Sequence, residues 1–551
     1  MPINRNKSSD YKSLTASPHK RGKDLKVQTS LKPLKSSLPQ STQPDLDSNY
    51  QSLTNPHKKK CPEQIPSASF SETSEAKKTK PTEFFSAVNS EHETVPENLP
   101  YAEQTKLRKE QKRAEKDHKL LSSERWIVRH GHTFSYIGLY LFSFMVFFRP
   151  YELIPGLGFL SATAFYFALA TLLIYVPTQF ATEGNLTVLT TEVKVILALT
   201  FLSLLTMPIA KSPGLAWETF NDPFIKAVLM FIVMVNVIRN RRRLVGMFWL
   251  SLSIGIILSY FALDMYLKGE AKLEGYRVEG TIQGMFENPN EMAMHLIMML
   301  PLAIALGLAS RSKIMKVIYF SASLILLSAT FVTYSRGGFL GLMASLGVMA
   351  WKLGRKSRLK VSLASIVAGI LMFILAPGNF GIRILSIFIP GLDEAGSADQ
   401  RRELLERSIL VTLRNPWGIG IGNFPIVGIQ NLQTHNVYTQ VSSELGILGL
   451  TAYLIFLISP FRKLGAIERQ LFIKKEFDWF YYLAVGLQSG IIAYMVSAFF
   501  ASVAYNWFAY YLIAYAVAFR RTYQIEKGLK EDVQSRPFRE IFGWQTAEKN
   551  A

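Results

Sequence analysis

Residues 291–309 read EMAMHLIMMLPLAIALGLA. Apart from Glu291 and His295 the stretch is apolar or small. As a helix rising 1.5 Å per residue it reaches nearly across a hydrocarbon layer of about 30 Å. Working outward, comparable runs recur near 134–149, 157–177, 193–210, 223–238, 244–266, 315–334, 337–352, 360–377, 444–460, 480–502 and 505–520. With 291–309 they make twelve expected spans. The expected fold is therefore an all-α polytopic membrane protein of about 12 transmembrane helices. Gly and Ser scattered through these runs let neighbouring helices approach closely.

Composition agrees. The 551 residues are 49% hydrophobic and 19% charged, below the roughly 25% charge of an average soluble domain. Mean hydropathy is +0.16. The formal charge of +20 would suit a nucleic-acid binder, but the apolar bulk argues against one, and no nucleic acid is expected as partner. One cysteine, Cys61, excludes an internal disulfide framework, a cysteine-based zinc cluster and an iron–sulfur site.

The chain divides into unlike parts. Residues 1–132 hold 24 Lys+Arg against 16 Asp+Glu. Residues 1–100 are rich in Ser, Pro, Lys and Gln and cannot bury enough apolar surface to offset ordering entropy. They are expected to form a disordered basic cytoplasmic tail. No apolar h-region follows Met1, so no secretory signal peptide is expected. Residues 101–132 begin YAEQTKLRKEQKRAEKDHKLL, free of Gly and Pro, which suits a charged juxtamembrane helix. Residues 133–520 form the expected transmembrane domain, and 521–551 a cytoplasmic C-terminal tail.

Orientation follows from the short loops. With the basic N-terminus inside, inside loops include RNRRR (239–243), SRSK (310–313), KLGRKSRLK (352–360) and RKLGAIERQLFIKK (462–475). Outside loops such as RPYELIPG (149–156) and KSPGLAWETFND (211–222) are poorer in cations. Both termini are expected in the cytoplasm. The largest outside loop, 377–443, lies between spans nine and ten.

Chemistry-bearing residues gather on that outer side, at loops and span ends. His435 lies in QTHNVYTQVSSELGILGL, just before a span. It has the reach and ordinary pKa of a general base; the alternative is an interfacial histidine. His295 lies within an apolar run and reads as a packing residue. Arg336, in TYSRGGFLGL, sits at a junction between two spans with no acidic residue beside it in sequence. A diphosphate would supply the missing charge in a geometry that suits Arg; the alternative is an arginine snorkelling to headgroups. In GSADQRRELLERSILVTLRNPWGIGIGNF (396–424), Ser397 and Gln400 make a capping box. Leu405, Ile409 and Leu413 are expected on one side of that helix, with Leu404 beside them. Arg401 and Arg402 lie in its first turns, where the helix dipole disfavours cations unless an anion is bound there; pairing with Asp399, Glu403 or Glu406 is the alternative. Gly418, Gly420 and Gly422 make a tight backbone able to approach a ligand, but no strand precedes them, which rejects a dinucleotide fold. In YRVEGTIQGMFENPNEMAMHL (276–296), Asn288-Pro289-Asn290 is a turn that also suits a helix cap. Arg277 and Glu287 are candidate substrate contacts.

Together these segments resemble the bacterial O-antigen ligase and O-antigen polymerase superfamily of integral membrane glycosyltransferases. RVEGTIQGMFENPNEMA is similar to its Arg…Gly…Asn-Pro-Asn segment and TYSRGGFLGL to its Ser-Arg-Gly motif. QRRELLERS…NPWGIGIGNF resembles its Arg-xxx-Leu helix with Pro-xxGxG, and THNVYTQVSSELGILGL its His-Asn…Glu-xGxxGL signature. The resemblance covers about Tyr276 to Leu450. It implies that Arg336 and Arg401 bind the diphosphate of an undecaprenyl-linked glycan and that His435 activates the acceptor hydroxyl. Arg277, Glu287, Asn288, Asn290, Arg402 and Glu444 would be further substrate-binding positions, with the choice between Arg401 and Arg402 open. No cofactor and no metal is implied, since arginines would neutralise the leaving group.

The expected activity is transfer of a glycan from undecaprenyl diphosphate to an acceptor hydroxyl at the periplasmic face of a bacterial inner membrane. The acceptor would be lipid A-core, a growing polysaccharide or a protein, with membrane lipids as surroundings. Polymerisation of O-antigen or exopolysaccharide and protein O-glycosylation are alternatives within the class. A flippase of polyprenyl-linked sugar, or a scaffold acting through the tail, are the non-enzyme alternatives.

Overall fold

The computed structural model describes residues 130–154, 156–270, 277–278, 280, 282, 285–356 and 397–528, with isolated positions 108, 112, 358, 359 and 363. The expected tail over 1–100, most of the juxtamembrane helix over 101–132 and nearly all of the ninth span lie outside them. So do the first part of the 377–443 loop and the C-terminal residues after 528.

The described chain is helical. The helices are α1 (His130–Leu153), α2 (Thr163–Glu183), α3 (Thr191–Thr206), α4 (Pro213–Val237), α5 (Arg241–Leu267) and α6 (Pro289–Ala309), followed by α7 (Lys313–Val332) and α8 (Arg336–Leu353). After the segment outside the description come α9 (Ser397–Arg414), α10 (Val437–Ile473), α11 (Trp479–Ser497) and α12 (Trp507–Glu526). Eight of these elements are long and apolar enough to cross a membrane: α1, α2, α4, α5, α6, α7, α10 and α11. Helices also stand at three further expected spans, as α3, α8 and α12. The first has only 16 residues. The last carries Arg520, Arg521 and Glu526 and several tyrosines.

Buried α12 explains the mismatch between its composition and its place. Trp507 to Gln524 are buried without a break, so its polar atoms meet protein rather than lipid. Tyr511 hydrogen-bonds Ser143 at 2.7 Å and Tyr515 hydrogen-bonds Ser251 at 2.7 Å. Such pairs satisfy hydroxyls where water is absent. Helix α6 is almost wholly buried, and α11 lies close along it. A side chain at Gly486 would collide with Ala305, which is how α11 and α6 come so near. Outward, large apolar side chains stay exposed: Phe165 and Leu173 on α2, Phe201 and Leu205 on α3, Val317 and Leu324 on α7. A belt of this size is unfavourable in water and suits lipid. The chain is an integral membrane protein.

Helix starts follow local sequence. Thr190, Asn240, Ser312, Ser335, Asn436 and Asp478 cap α3, α5, α7, α8, α10 and α11 through their side-chain oxygens. Two of these caps, Ser335 and Asn436, stand beside Arg336 and His435.

Candidate functional site

Three helix beginnings converge on one cavity of about 230 Å³. It is lined by Arg336 and Leu340 from the first turns of α8 and by Arg401, Arg402 and Leu405 from those of α9. Thr434, His435 and Asn436 lead into α10, and Phe499 and Phe500 follow α11. The three residues expected to carry the reaction thus share one chamber, although 99 positions separate Arg336 from His435 in sequence.

Arg336 is 8% exposed. It follows Ser335, whose Oγ accepts the Gly338 amide at 3.1 Å and donates to Asn290 Oδ1 at 2.8 Å. Asn290 Oδ1 also accepts from Arg277 Nη2 at 2.9 Å, and Arg277 Nε donates to the Thr333 carbonyl at 3.0 Å. Arg277 and Asn290 therefore brace the turn that delivers Arg336; neither lines the cavity. Asn288 accepts the Asn290 amide at 2.9 Å and caps α6. Glu287 is exposed and its carbonyl accepts the Gly280 amide at 3.0 Å. In the described structure Arg277 and Asn290 support the Ser335–Arg336 turn, and Asn288 and the Glu287 carbonyl close the loop before α6. Their partners are backbone groups and side chains that no local pattern reveals.

His435 has φ 50°, a left-handed conformation rare for a residue with a Cβ. Its amide donates to Ser502 Oγ at 2.7 Å, and Ser502 also hydrogen-bonds Thr434 Oγ1 at 3.2 Å. Asn436 next in line accepts the amides of Tyr438 and Thr439. The backbone is thus fixed on both sides of His435. Burial, and after it the Arg401 charge, lowers the His435 pKa from its ordinary 6.5. A lowered value keeps the imidazole neutral, and so able to take a proton, at neutral pH.

Arg401 is half-buried, whereas Arg402 is exposed and bridges Glu406 at 3.2 Å. Both line the cavity, but Arg401 is the one whose field reaches His435. That favours Arg401 in the choice between them. The buried face of α9 is not the one that carries Leu405, Ile409 and Leu413. Leu404, Ser408 and Val411 are buried, while Ile409 and Leu413 are exposed and Leu405 lies on the cavity wall. Leu404 and Val411 pack with Ile419 and Phe424 of the following loop, and that loop decides which side of the helix is covered.

The glycine loop packs closely against the start of α10. Gly418, Gly420 and Gly422 have φ of 90°, 98° and 71°. Ile419 N donates to Ser443 O at 3.0 Å and Gly420 N to Glu444 O at 2.9 Å. The Glu444 carboxylate accepts the Gly422 and Phe424 amides at 2.9 and 3.1 Å. Helix α10 is broken at Gly446 (φ 73°), and Ile447 N donates to Pro416 O at 3.0 Å instead of closing a helical turn. Glu444 is thus fully buried and ties α10 to the loop after α9. Its observed role is that of a clamp between the two segments.

Thr434, Phe499, Phe500 and Ser502 were not singled out by sequence reasoning. Their types are common in membrane helices, and the only hint was the short break AFFASVAYN between the last two spans. Among the described residues no group of three or more His, Cys, Asp or Glu is placed to hold a metal ion.

Comparison with known proteins bears on the same region. No curated protein matches the chain significantly. Residues 321–454, which hold Arg336, Arg401, His435 and Glu444, match the family model described as O-antigen ligase. Over that stretch the chain is similar to the O-antigen ligase family, which supports a likeness to the ligase and polymerase superfamily.

Proposed function

We propose that the protein is a membrane glycosyltransferase that moves a glycan from undecaprenyl diphosphate to an acceptor hydroxyl at the periplasmic face of a bacterial inner membrane. The observation that carries this is the shared chamber of Arg336, Arg401 and His435. The acceptor oxygen attacks the anomeric carbon and forms the new glycosidic bond. The bond from that carbon to the diphosphate oxygen breaks, and polyprenyl diphosphate leaves with the electron pair. Arg336 and Arg401 stabilise the charge that grows on the diphosphate. His435, neutral before the step, takes the proton of the attacking hydroxyl. The beginnings of α8 and α9 add their positive dipole ends. In this reading the arginines do the neutralising that a metal does elsewhere.

Membranes holding the full chain, given a polyprenyl-diphosphate glycan, should release polyprenyl diphosphate as glycan is transferred. His435→Ala or Arg336→Ala should each lower the rate by about 10²-fold or more at unchanged protein level. A protein that moves the donor across liposomes without consuming it would overturn the transferase reading. Transfer to a distinct acceptor marks a ligase, and a ladder of repeat lengths from donor alone marks a polymerase.

A further inference from the structure

The outward face of α10 carries a groove unrelated to the candidate site. Its first part, about 590 Å³, is apolar at one end (Leu454, Ile455, Ile458) and basic at the other (Arg462, Lys463). It continues as a second hollow of about 520 Å³ lined by Arg462, Gly465, Ala466 and Arg469. Positions 455, 458, 462, 466 and 469 recur every three or four residues and are exposed, so they form one stripe of the helix. Arg462 lies about 24 Å along α10 from the break at Gly446 at 1.5 Å per residue. That is close to the roughly 30 Å of a hydrocarbon layer. The groove therefore passes from the apolar layer to the surface of the leaflet opposite His435.

Several other cations at this end are paired within the protein. Glu192 holds Arg520 and Lys463, Glu468 holds Lys352 and Arg355, and Glu183 holds Arg239. Arg462 and Arg469 have no such carboxylate among the described residues. Glu468, beside Arg469, already serves two cations. Between the two arginines on this face stands Ala466, whose methyl group leaves the floor open.

We propose that this groove binds an anionic glycerophospholipid, its phosphate between Arg462 and Arg469 and an acyl chain along Ile455 and Ile458. Charge complementarity favours this occupant: two arginines without an acid, at headgroup depth, at the end of an apolar channel. The full-length protein in nanodiscs of one part phosphatidylglycerol to nine parts phosphatidylcholine, analysed by native mass spectrometry, tests it. Retained lipid should be enriched in phosphatidylglycerol by about fivefold or more over the bilayer. The double variant Arg462→Gln/Arg469→Gln should bring enrichment near unity, while Arg462→Lys/Arg469→Lys should keep most of it. Arg311→Gln, removing an exposed cation between α6 and α7, should leave it unchanged. Undiminished enrichment in the double Gln variant, or an equal loss with Arg311→Gln, would overturn the proposal. All variants should unfold at the wild-type temperature in phosphatidylcholine alone, which separates lost lipid from lost structure.

Discussion

His435 is held at φ 50° by the bond from its amide to Ser502 Oγ. Such a conformation costs about 1–3 kcal/mol, and the Ser502 bond holds the backbone in it. Its pKa lies below 6.5, through burial first and the Arg401 charge second. A lowered pKa means that the neutral base persists below pH 6.5 and is lost only as pH falls through the lowered value. If His435 is the general base, the acidic limb of a kcat/KM profile should therefore fall below pH 6.5. Arg401→Gln should move that limb toward higher pH while also lowering the rate, because burial remains but the neighbouring charge is gone. A limb that does not move would separate Arg401 from His435. Arg336, Arg401 and His435 were legible in the sequence because charge and a titrating ring are rare on an apolar chain. Arg277, Asn290 and Glu444 were legible as polar residues, but not as braces. Their partners are a remote side chain and the carbonyls and amides of other segments, and backbone groups leave no trace in residue type.

At the scale of elements, the loop after α9 and the broken turn of α10 form one unit. The loop's glycines approach α10 so closely that a Cβ at Gly418 would meet the Glu444 carbonyl, and one at Gly446 would meet the Pro416 carbonyl. Gly446→Ala adds both that collision and a residue with a Cβ at φ 73°, a change expected to cost about 2 kcal/mol or more. Thermal unfolding in detergent should show a clear loss of stability. Transfer activity should fall with it, since the same unit carries α9 and with it Arg401. A Gly446→Ala variant as stable as wild type would refute the clamp. The spacing of glycines was visible in sequence; that Gly418 meets α10 depends on where that helix lies.

For the molecule as a whole, a buried ion network joins elements far apart in the chain. Glu192 at the start of α3 is fully buried and accepts from Arg520 of α12 at 3.1 and 3.2 Å, and from Lys463 and Ser459 of α10. Removing one partner of a buried pair strands the other, at about 3–5 kcal/mol. Glu192→Gln should therefore lower the unfolding temperature markedly. Adding Arg520→Gln should recover part of the loss, whereas additive losses would deny the coupling. Helix content and most span positions were legible because a lipid solvent demands long apolar runs with internal hydrogen bonds. The central place of α12 was not, because burial on all sides depends on which helices pack around it rather than on its residue types.

The chain's linear order is enough to establish a helical membrane protein and most of its span positions, and to single out the few charged and titrating residues on an apolar chain. Apolar length and charge placement are properties of consecutive residues. Only the tertiary structure decides that Arg336, Arg401 and His435 line one cavity, while Arg277, Asn290 and Glu444 stand behind it. Which side chains converge depends on how helices distant in sequence pack, and on where the glycines let the backbones touch.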